Sequence, residues 1–420
     1  MRRLLLIAYY FPPIAGSGTF RPLRISRYLP AHGWAVSVLS VNTTVRLVKD
    51  PALADEVRPD TTVVRTATLE PRNLELALRR IGMGRLAGRL ESWLLLPDEQ
   101  RGWVPFAVAA GRRLLRGEPH HALLSTSSPY STHLVGRALA ASGLPWIADF
   151  RDEWTTNPYL IERYPTAWHA GHNRRLECRV LRAADAVVSV SAPWAANHRS
   201  LVPDEPAEKF HVLPNGYDPQ QFAGRPWSRP DRFRVLYTGT FYGIRRPEAL
   251  IDGVGTAIER GLVPADRLEL VLMGQGNTGI DPRALPPGVL TTIEHRPQRE
   301  AIDEMYRAAV LVLVVPRAGG EGNHTGKLFN YLAVGAPILA LAPEPNVAAD
   351  LVRDCAGGIV VPPDDPAAVA DGLGHLFRMW SGEEPTPPRR VERIAEYAAD
   401  RQAGRLAALL DRLVDRRARG

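Results

Sequence analysis

Short apolar runs alternate with helix-like stretches along most of the chain. Each run has the length of a strand, and the stretch that follows it carries apolar residues three or four positions apart. Such alternation is typical of a parallel β-sheet with helices on both of its faces. The pattern predicts strands at 4–10, 36–41, 122–126, 145–150, 186–191, 234–240, 268–274, 290–296, 310–316, 337–343 and 358–363.

A proline-rich segment at 203–232 divides these strands into two series. Frequent prolines and few apolar runs are typical of a linker. The pattern therefore predicts two doubly wound α/β domains, 1–202 and 233–390, with a ligand cleft between them outside the carboxyl ends of the strands. Residues 391–420 have apolar positions at helical spacing, and we expect them to form helices that pack back on the body.

The composition is that of an ordinary globular protein. The 420 residues are 45% hydrophobic and 23% charged, and this length suffices for two or three domains. The two cysteines, Cys178 and Cys355, can form neither a disulfide framework nor a zinc cluster, so a cytoplasmic location is expected. No apolar run approaches the length of about 18 residues that spans a bilayer.

Arginine supplies most of the positive charge. The formal net charge is +7, and the only lysines are Lys49, Lys209 and Lys327. The arginines are spread over every segment rather than gathered with aromatic residues on one face, so we expect no nucleic-acid partner. The segment 79–94 combines four arginines with apolar residues at near-helical spacing. It predicts either a peripheral contact with the inner face of a membrane or a packed helix with a solvated basic face.

A glycine-containing turn follows the first predicted strand. Gly16, Ser17 and Gly18 lie between that strand and a helix-like segment. Glycine lets the backbone approach a ligand, and the exposed amides of a helix start attract anions. The turn is therefore part of an anion site or a purely structural feature, and its spacing is not that of the dinucleotide fingerprint.

Polar side chains follow two other strands of the first series, those at 122–126 and 145–150. Asp149, Arg151 and Asp152 lie where the strand at 145–150 ends, and such strand ends are where α/β proteins place their chemistry. We take these three residues as candidate catalytic residues, together with His133. The alternatives are an internal arginine–aspartate pair that only stabilises the loop and a structural histidine.

Gly239 and two arginines follow the first strand of the second series. A guanidinium group fits the oxygen atoms of a phosphate. Arg245 and Arg246 are therefore candidate ligands of a diphosphate. The sequence leaves open which of the two points inward and whether both face solvent.

The segment 316–337 is the strongest candidate for an anion site. A glycine-rich loop there carries Glu321, and a helix begins near Thr325, Gly326 and Lys327. Backbone amides, the positive end of the helix dipole and an ammonium group would converge at one place. The segment lacks the glycine spacing of a Walker loop. We predict a phosphate-binding role for Lys327.

Together these motifs resemble those of the family 4 glycosyltransferases, and the similarity extends over nearly the whole chain. It is carried by FPPxxGSGTxR at 11–21, ADFRDEW at 148–154, ADAVVSVS at 184–191, VLPNGYD at 212–218, YTGTFY at 237–242 and TGKLFNYLAVGAPIL at 325–339. The resemblance implies the GT-B architecture of two facing Rossmann-like domains. The first domain would bind the acceptor and the second the nucleotide sugar.

The resemblance also implies an activity. Such enzymes move a sugar from a nucleotide diphosphate sugar to an acceptor hydroxyl, usually with retention at the anomeric carbon and without a metal or other cofactor. The acceptor would be a lipid-linked glycan or a small molecule, as in bacterial polysaccharide or secondary-metabolite synthesis. No Asp-x-Asp triplet, which could clamp a divalent metal, occurs in the sequence. The donor-binding residues would be Gly16, Ser17, Gly18, Gly239, Arg245, Arg246, Glu321, Thr325, Gly326, Lys327 and Asn330.

Two positions depart from the family's pattern. Members commonly carry two glutamates separated by seven residues, whereas Asn330 holds the second place here and Glu321 lies one position away from the first. Asp149 falls roughly where many members have a histidine. These departures leave open a catalytically silent nucleotide-sugar-binding subunit. A nucleotide-sugar epimerase of the same fold is a further alternative.

Overall fold

The computed structural model describes residues 1–43, 47–69, 96–164, 166–241, 243, 245–274, 276, 280–318 and 321–419. The segment 79–94, for which the sequence predicts a membrane contact or a packed helix, lies outside these residues. None of the described helices is both long and apolar enough to cross a membrane.

The described residues form two compact units. The first comprises residues 1–214 and 399–420, and the second comprises residues 215–398. The units therefore meet along the chain inside the segment predicted to be a linker. Each unit is an α/β structure built on one parallel sheet.

The first unit contains a sheet of seven parallel strands. The strands are β1 (Arg2–Ile7), β2 (Trp34–Val41), β3 (Thr62–Thr66), β4 (Ala122–Thr126), β5 (Trp146–Phe150), β6 (Ala186–Ser189) and β7 (Phe210–Val212). The helices are α1 (Ser17–Tyr28), α2 (Val104–Gly117), α3 (Ser131–Ala140), α4 (Pro158–Arg163), α5 (Ala167–Ala183) and α6 (Ala192–Leu201). The strand order is β3-β2-β1-β4-β5-β6-β7. It reverses between β1 and β4, and such switch points are where α/β sheets bind ligands.

Strand β1 shows why an uninterrupted apolar run suits this sheet. Leu4 and Leu6 belong to one hydrophobic cluster, whereas Leu5 and Ile7 belong to another. Successive side chains of a strand point to opposite faces of the sheet. When helices cover both faces, every position of the strand must therefore be apolar.

The second unit contains a sheet of six parallel strands. The strands are β8 (Phe233–Thr238), β9 (Leu268–Met273), β10 (Leu290–Ile293), β11 (Val310–Val314), β12 (Ile338–Leu341) and β13 (Gly358–Val361). The helices are α7 (Glu248–Glu259), α8 (Gln298–Tyr306), α9 (Gly326–Val334), α10 (Val347–Asp354), α11 (Pro366–Ser381) and α12 (Val391–Ala395). The order is β10-β9-β8-β11-β12-β13, so the switch point lies between β8 and β11.

The last helix, α13 (Ala399–Arg419), returns to the first unit. Its residues Leu406 and Leu410 lie in the same hydrophobic cluster as Leu4 and Trp34. The carboxylate of Asp411 accepts a hydrogen bond of 3.1 Å from the indole N–H of Trp34. The segment 391–420 is thus divided, because α12 belongs to the second unit and α13 to the first.

Two observed strands have no counterpart in the predicted pattern, although every predicted strand overlaps an observed one. Both form edges of the first sheet. β3 carries Arg65 and is only half-buried, and β7 is three residues long and lies within 203–232. An edge strand has one neighbour and little burial, so it needs no continuous apolar run. Short 3-10 turns occur at Leu29–His32, Pro51–Leu53, Glu99–Trp103, Ala207–Lys209, Pro219–Gln221 and Pro282–Ala284.

Candidate functional site

In the second unit, the loops after β8 and β11 meet at the switch point of the sheet. Thr238 is the last residue of β8, and the loop after β11 leads to the start of α9 at Gly326. β8 and β11 are paired neighbours. Lys327, in the first turn of α9, therefore reaches Thr238, and its Nζ donates a hydrogen bond of 2.5 Å to the carbonyl oxygen of that residue.

The ammonium group of Lys327 is held in an apolar and cationic environment. Its Nζ lies 4.5 Å from the centre of the Tyr237 ring, which is stacked on the ring of Phe241. Burial and then the charge of Arg245 lower the pKa of Lys327 to about 7, because both favour the neutral amine. The aromatic face attracts the charged form. Lys327 therefore changes its charge near neutral pH, and a bound anion would favour the ammonium.

Gly239 makes room for this lysine. Its φ is 130°, a value that side chains rarely allow. A Cβ atom at this position would lie 2.3 Å from Nζ of Lys327. Glycine is therefore required both for the backbone conformation and for the position of the ammonium group.

Tyr331 fixes the end of β8. Its hydroxyl accepts a hydrogen bond of 3.2 Å from the N–H of Thr238 and lies 2.8 Å from the Oγ1 of the same residue. Burial raises the pKa of Tyr331 to about 12, so the phenol stays protonated. Since the carbonyl group of Thr238 holds Lys327, Tyr331 positions the acceptor of that lysine.

The start of α9 has polar atoms that the described residues do not satisfy. Thr325 is the N-cap residue but makes no capping hydrogen bond, and its Oγ1 is buried without a partner. The Oδ1 of Asn330 is also buried without a partner among the described residues. Gly326 is exposed. An uncapped helix start suits an anion, and an orphaned carbonyl oxygen suits a ligand hydroxyl.

The structure distinguishes the two candidate arginines. The charge of Arg245 acts on both Lys327 and Tyr331. The side chain of Arg246 is 75% exposed, and its NH1 lies 4.0 Å from a carboxylate oxygen of Glu248. The structure therefore brings Arg245, but not Arg246, to Lys327.

Glu321, the remaining candidate of this unit, is exposed. Its carbonyl oxygen accepts a hydrogen bond of 3.0 Å from the N–H of Val347, the first residue of α10. Close by, the side-chain amide of Asn215 donates a hydrogen bond of 3.1 Å to the carbonyl oxygen of His324. The loop before α9 is thus fixed through its backbone, which leaves the Glu321 carboxylate at the surface.

In the first unit, Asp149 is buried at the end of β5 rather than presented at the surface. It is 1% exposed. Its two carboxylate oxygens accept hydrogen bonds of 2.9 and 2.7 Å from Arg21, a bidentate pair. Thr126, its register partner on β4, donates a third bond of 2.7 Å. The arginine–aspartate pair that the sequence left open therefore exists, but it uses Arg21 of α1 and not Arg151.

Arg21 also binds the backbone of the segment that leads from the first unit to the second. It donates hydrogen bonds of 3.0 and 2.9 Å to the carbonyl oxygens of Leu213 and Pro214, the last residues before the second unit. A guanidinium group has five N–H donors in a fixed plane. One side chain can therefore join α1, β5 and the chain that leaves the unit.

Arg151 connects α1 to the loop after β4 through backbone atoms. It donates hydrogen bonds of 2.8 Å to the carbonyl oxygens of Gly18 and Ser128 and a further bond to that of Ser127. Burial lowers the pKa of Arg151. Asp152, its neighbour, is half-buried and accepts a bond of 3.0 Å from the hydroxyl of Ser128. Arg151 thus joins the first turn of α1 to the loop after β4, and Asp152 is more accessible than Asp149.

The glycine turn lies at the same edge of the sheet. Gly16 has a φ of 124° and precedes α1, whose start has no side-chain cap. Gly16 and Ser17 are exposed. A Cβ atom on Gly18 would lie 2.7 Å from the ring of Tyr10. Gly18 is therefore needed for packing, whereas the exposed amides at Gly16 and Ser17 are open to a ligand.

His133 lies in the core and not at the edge. Its ring is fully buried, 4.3 Å from the centre of Phe150. Ser125 accepts a hydrogen bond of 2.9 Å from the indole N–H of Trp146 and lies 2.8 Å from Nδ1 of His133. Burial lowers the pKa of His133 to about 3. His133 is therefore a neutral, fully buried histidine that packs against a phenylalanine ring in the core.

Sequence reasoning missed several residues on which these edges depend, namely Arg21, Thr126, Tyr331 and Thr238. The available signals were the positions of Arg21, Thr238 and Tyr331 in the family motifs and that of Thr126 at the end of a predicted strand. Among the described residues, no three His, Cys, Asp or Glu side chains form a group that could hold a metal ion.

Two family models match successive parts of the chain. Residues 22–221 match the model described as Glycosyltransferase Family 4, and residues 232–379 match the one described as Glycosyl transferases group 1. With its two parallel-sheet α/β units, the chain is a glycosyltransferase of the GT-B class. The two matches together cover most of the chain and indicate a family 4 glycosyltransferase, in line with the resemblance of its motifs. No curated protein matches the sequence significantly.

Solved structures support the same fold. Sucrose-phosphate synthase from Thermosynechococcus elongatus is 15% identical, with a TM-score of 0.66 over 99% of this chain and 100% of that one. An α,α-trehalose-phosphate synthase (UDP-forming) from Burkholderia xenovorans, in complex with glucose-6-phosphate, is 12% identical, with a TM-score of 0.67 over 98% and 100%. HepE from Anabaena, in complex with UDP and glucose, is 12% identical, with a TM-score of 0.58 over 100% and 98%. The predicted GT-B fold class is confirmed.

Proposed function

We propose that the chain transfers a sugar from a nucleotide diphosphate sugar to an acceptor hydroxyl, with retention at the anomeric carbon and without a metal ion. The product would be a bacterial glycan or a glycosylated metabolite. The observation that carries this proposal is the group formed by Lys327, Arg245 and the uncapped start of α9 at the switch point of the second sheet. Its two cationic side chains and the positive end of the helix dipole all attract the negative charge of a diphosphate.

The same group explains how the reaction would be accelerated. When the glycosidic bond breaks, the departing nucleoside diphosphate gains negative charge. Lys327 and Arg245 are positioned before the reaction, so they stabilise that charge without reorganising. The orphaned Oδ1 of Asn330 would accept a hydrogen bond from a ribose hydroxyl, and Glu321 would contact the donor sugar. Two of the similar structures agree with such a donor, since one is named as UDP-forming and the other contains UDP and glucose.

We propose that the first unit binds the acceptor at the edge formed by β1, β4 and β5. Asp152 is the acid that would meet an acceptor hydroxyl there, because Asp149 has both oxygens occupied by Arg21. The exposed amides at Gly16 and Ser17 would hold a phosphate group of the acceptor or donor. The acceptor itself would be a lipid-linked glycan or a small molecule with a free hydroxyl.

A thermal-shift panel with UDP, GDP, ADP, CMP and dTDP tests the proposal. Wild type is compared with Lys327→Ala and with Arg353→Ala, an exposed arginine of the same unit that is paired with Glu344. We expect one diphosphate to raise the melting temperature of wild type and of the arginine variant but not of the lysine variant. If no nucleotide raises it at millimolar concentration, the proposal fails.

The second step measures turnover of the donor that corresponds to the diphosphate found. An active transferase hydrolyses its donor slowly even without an acceptor, and mass spectrometry detects the released sugar. Binding without any turnover would instead support a silent nucleotide-sugar-binding subunit. Conversion of the donor into a sugar epimer would identify the epimerase alternative.

A further inference from the structure

The helix α5 in the first unit presents a continuous ridge of aromatic and basic side chains to solvent. Trp168, His172, Arg175, Arg179 and Arg182 follow one another at alternating spacings of four and three residues, so they lie on one side of the helix. At 1.5 Å per residue the ridge is about 21 Å long. Trp168 and the three arginines are exposed, and His172 is half-buried.

The charge of this helix is entirely positive on its outer side. Arg174, Arg175, Arg179 and Arg182 are exposed, and none forms an ion pair within the described part of the chain. The helix has one acid, Glu177, which is buried and accepts hydrogen bonds from Thr155. Many other exposed arginines of this protein are paired, for example Arg58 with Asp60. The ridge therefore carries an uncompensated positive charge.

The surroundings of His172 confirm that these charges are concentrated. Burial and the charges of Arg101, Arg175 and Arg179 lower the pKa of His172. Arg101 comes from the turn Glu99–Trp103, so a second element adds to the same positive surface. Like charges repel, and a protein gains no stability by gathering them without acids.

One end of the ridge is apolar. Trp168 is 45% exposed and its ring is stacked on His172, with centres 5.3 Å apart. Ile161, on the preceding helix α4, is 54% exposed. An exposed aromatic ring on the same helix side as arginines, with an exposed aliphatic side chain on the preceding helix, matches the interface of a bilayer, where tryptophan lies among the headgroups and arginine meets anionic lipid.

We infer that the outer ridge of α5, together with Ile161, docks the protein on the surface of a bilayer that contains anionic lipid. Tryptophan and isoleucine would enter the headgroup layer, and the arginines would lie against lipid phosphates. A helical ridge with one exposed tryptophan and no further exposed aromatic residue fits a lipid surface better than the bases of a nucleic acid, which need several stacking rings. None of the residues of this surface belongs to the segment 79–94, and the inference does not depend on the proposed transferase activity.

Co-sedimentation with vesicles tests this inference. The full chain is mixed with vesicles of phosphatidylcholine alone and of phosphatidylcholine with phosphatidylglycerol. We expect binding only to the anionic vesicles, and a loss of binding in high salt because salt screens exposed charges. Each arginine contributes about a fivefold factor to binding. The triple variant Arg175→Gln, Arg179→Gln, Arg182→Gln should therefore bind about 100-fold more weakly.

A matched variant separates the ridge from net charge. Arg58→Gln, Arg260→Gln, Arg353→Gln removes the same number of charges from exposed arginines that are paired with acids, and we expect it to bind like wild type. Trp168→Ala should weaken binding in both low and high salt, since its contribution is apolar. Circular dichroism and the nucleotide-induced thermal shift should be unchanged in every variant.

Three results would overturn the inference. Wild type that does not bind anionic vesicles would exclude a docking surface of this kind. Equal binding of the ridge variant and wild type would place the contact elsewhere. Loss of binding to a single-stranded oligonucleotide in the ridge variant, without vesicle binding by wild type, would assign the surface to nucleic acid instead.

Discussion

Arg21 and Asp149 form a buried bidentate ion pair although 128 positions separate them in the sequence. Both side chains make further hydrogen bonds within the same unit. Asp149 accepts one from the hydroxyl of Thr126, and Arg21 donates two to backbone carbonyl groups. Three of the roughly four acceptor sites of this carboxylate are occupied, and the residue is 1% exposed. The pair therefore holds the edge of the sheet together and positions the residues that follow.

Asp149→Asn should destabilise the first unit. The change keeps the shape of the side chain but leaves the buried guanidinium of Arg21 without a counter-charge. Breaking a buried pair in this way costs about 3 kcal/mol. Urea unfolding followed by circular dichroism measures the loss in the free energy of unfolding.

The control for this prediction is Asp60→Asn, which breaks the exposed pair of Arg58 and Asp60. Exposed pairs contribute little, so the free energy of unfolding should hardly change. If Asp149→Asn instead left the stability unchanged and abolished transfer, Asp149 would be a catalytic residue and not a structural one.

Lys327 should couple nucleotide binding to proton uptake. Its pKa lies near 7 in the folded chain and at the ordinary value of 10.5 when unfolded. The folded chain therefore holds fewer protons between these values, and the free energy of unfolding rises with pH across this window. A diphosphate reverses the shift because it favours the ammonium. At pH 8, calorimetry in buffers of different ionisation enthalpy should show uptake of about one proton on binding.

Lys327→Met provides the control, since methionine has a similar length and no charge. We expect the proton uptake and the rise in stability above pH 7 to disappear in this variant. Uptake that persists would mean that another group takes the proton, and Lys327 would then not contact the diphosphate.

Gly239→Ala should displace the ammonium group of Lys327 from its position beside Thr238. The new methyl group would lie 2.3 Å from Nζ of Lys327, so the ammonium must move away from the start of α9. We expect diphosphate binding at least about tenfold weaker, because a charge-assisted hydrogen bond contributes about 1.5–3 kcal/mol. Gly288→Ala is the matched substitution, because Gly288 also has a positive φ but open space around its Cβ. Equal binding by the two variants would contradict this role of Gly239.

Arg245→Ala and Arg246→Ala should differ although the residues are adjacent. Only Arg245 acts on Lys327, whereas the side chain of Arg246 is largely exposed and lies near Glu248. Isothermal titration with the diphosphate should show a loss of about tenfold or more for the first variant and less than about twofold for the second. A larger loss for Arg246→Ala would show that the loop rearranges on binding.

The fold could be predicted from the sequence because central strands need uninterrupted apolar runs, which are easy to recognise. β1 and β11 are covered on both faces, so their apolar runs are uninterrupted. The edge strands β3 and β7 need no such apolar run, and the sequence pattern therefore did not predict them. The position of the lysine could be predicted because a helix start after a strand at the switch point has a fixed place in an α/β sheet.

The partners of the acids could not be predicted in the same way. Nothing in the pattern distinguishes Arg21 from the many arginines on helix surfaces, because the difference is the burial that tertiary packing imposes. His133 likewise follows a strand as a catalytic residue would. Its burial under Phe150 and its hydroxyl partner Ser125 depend on neighbours that only the folded sheet brings together.

The return of α13 to the first unit has a consequence for how the protein is made. The first unit is completed only after the second has been synthesised, because leucines near position 410 close the core around Leu4 and Trp34. The second unit is continuous in sequence and can fold before α13 has been translated. A nascent chain that stalled in α12 would thus present an uncovered apolar sheet face, so the first unit is protected from aggregation only once α13 has been made.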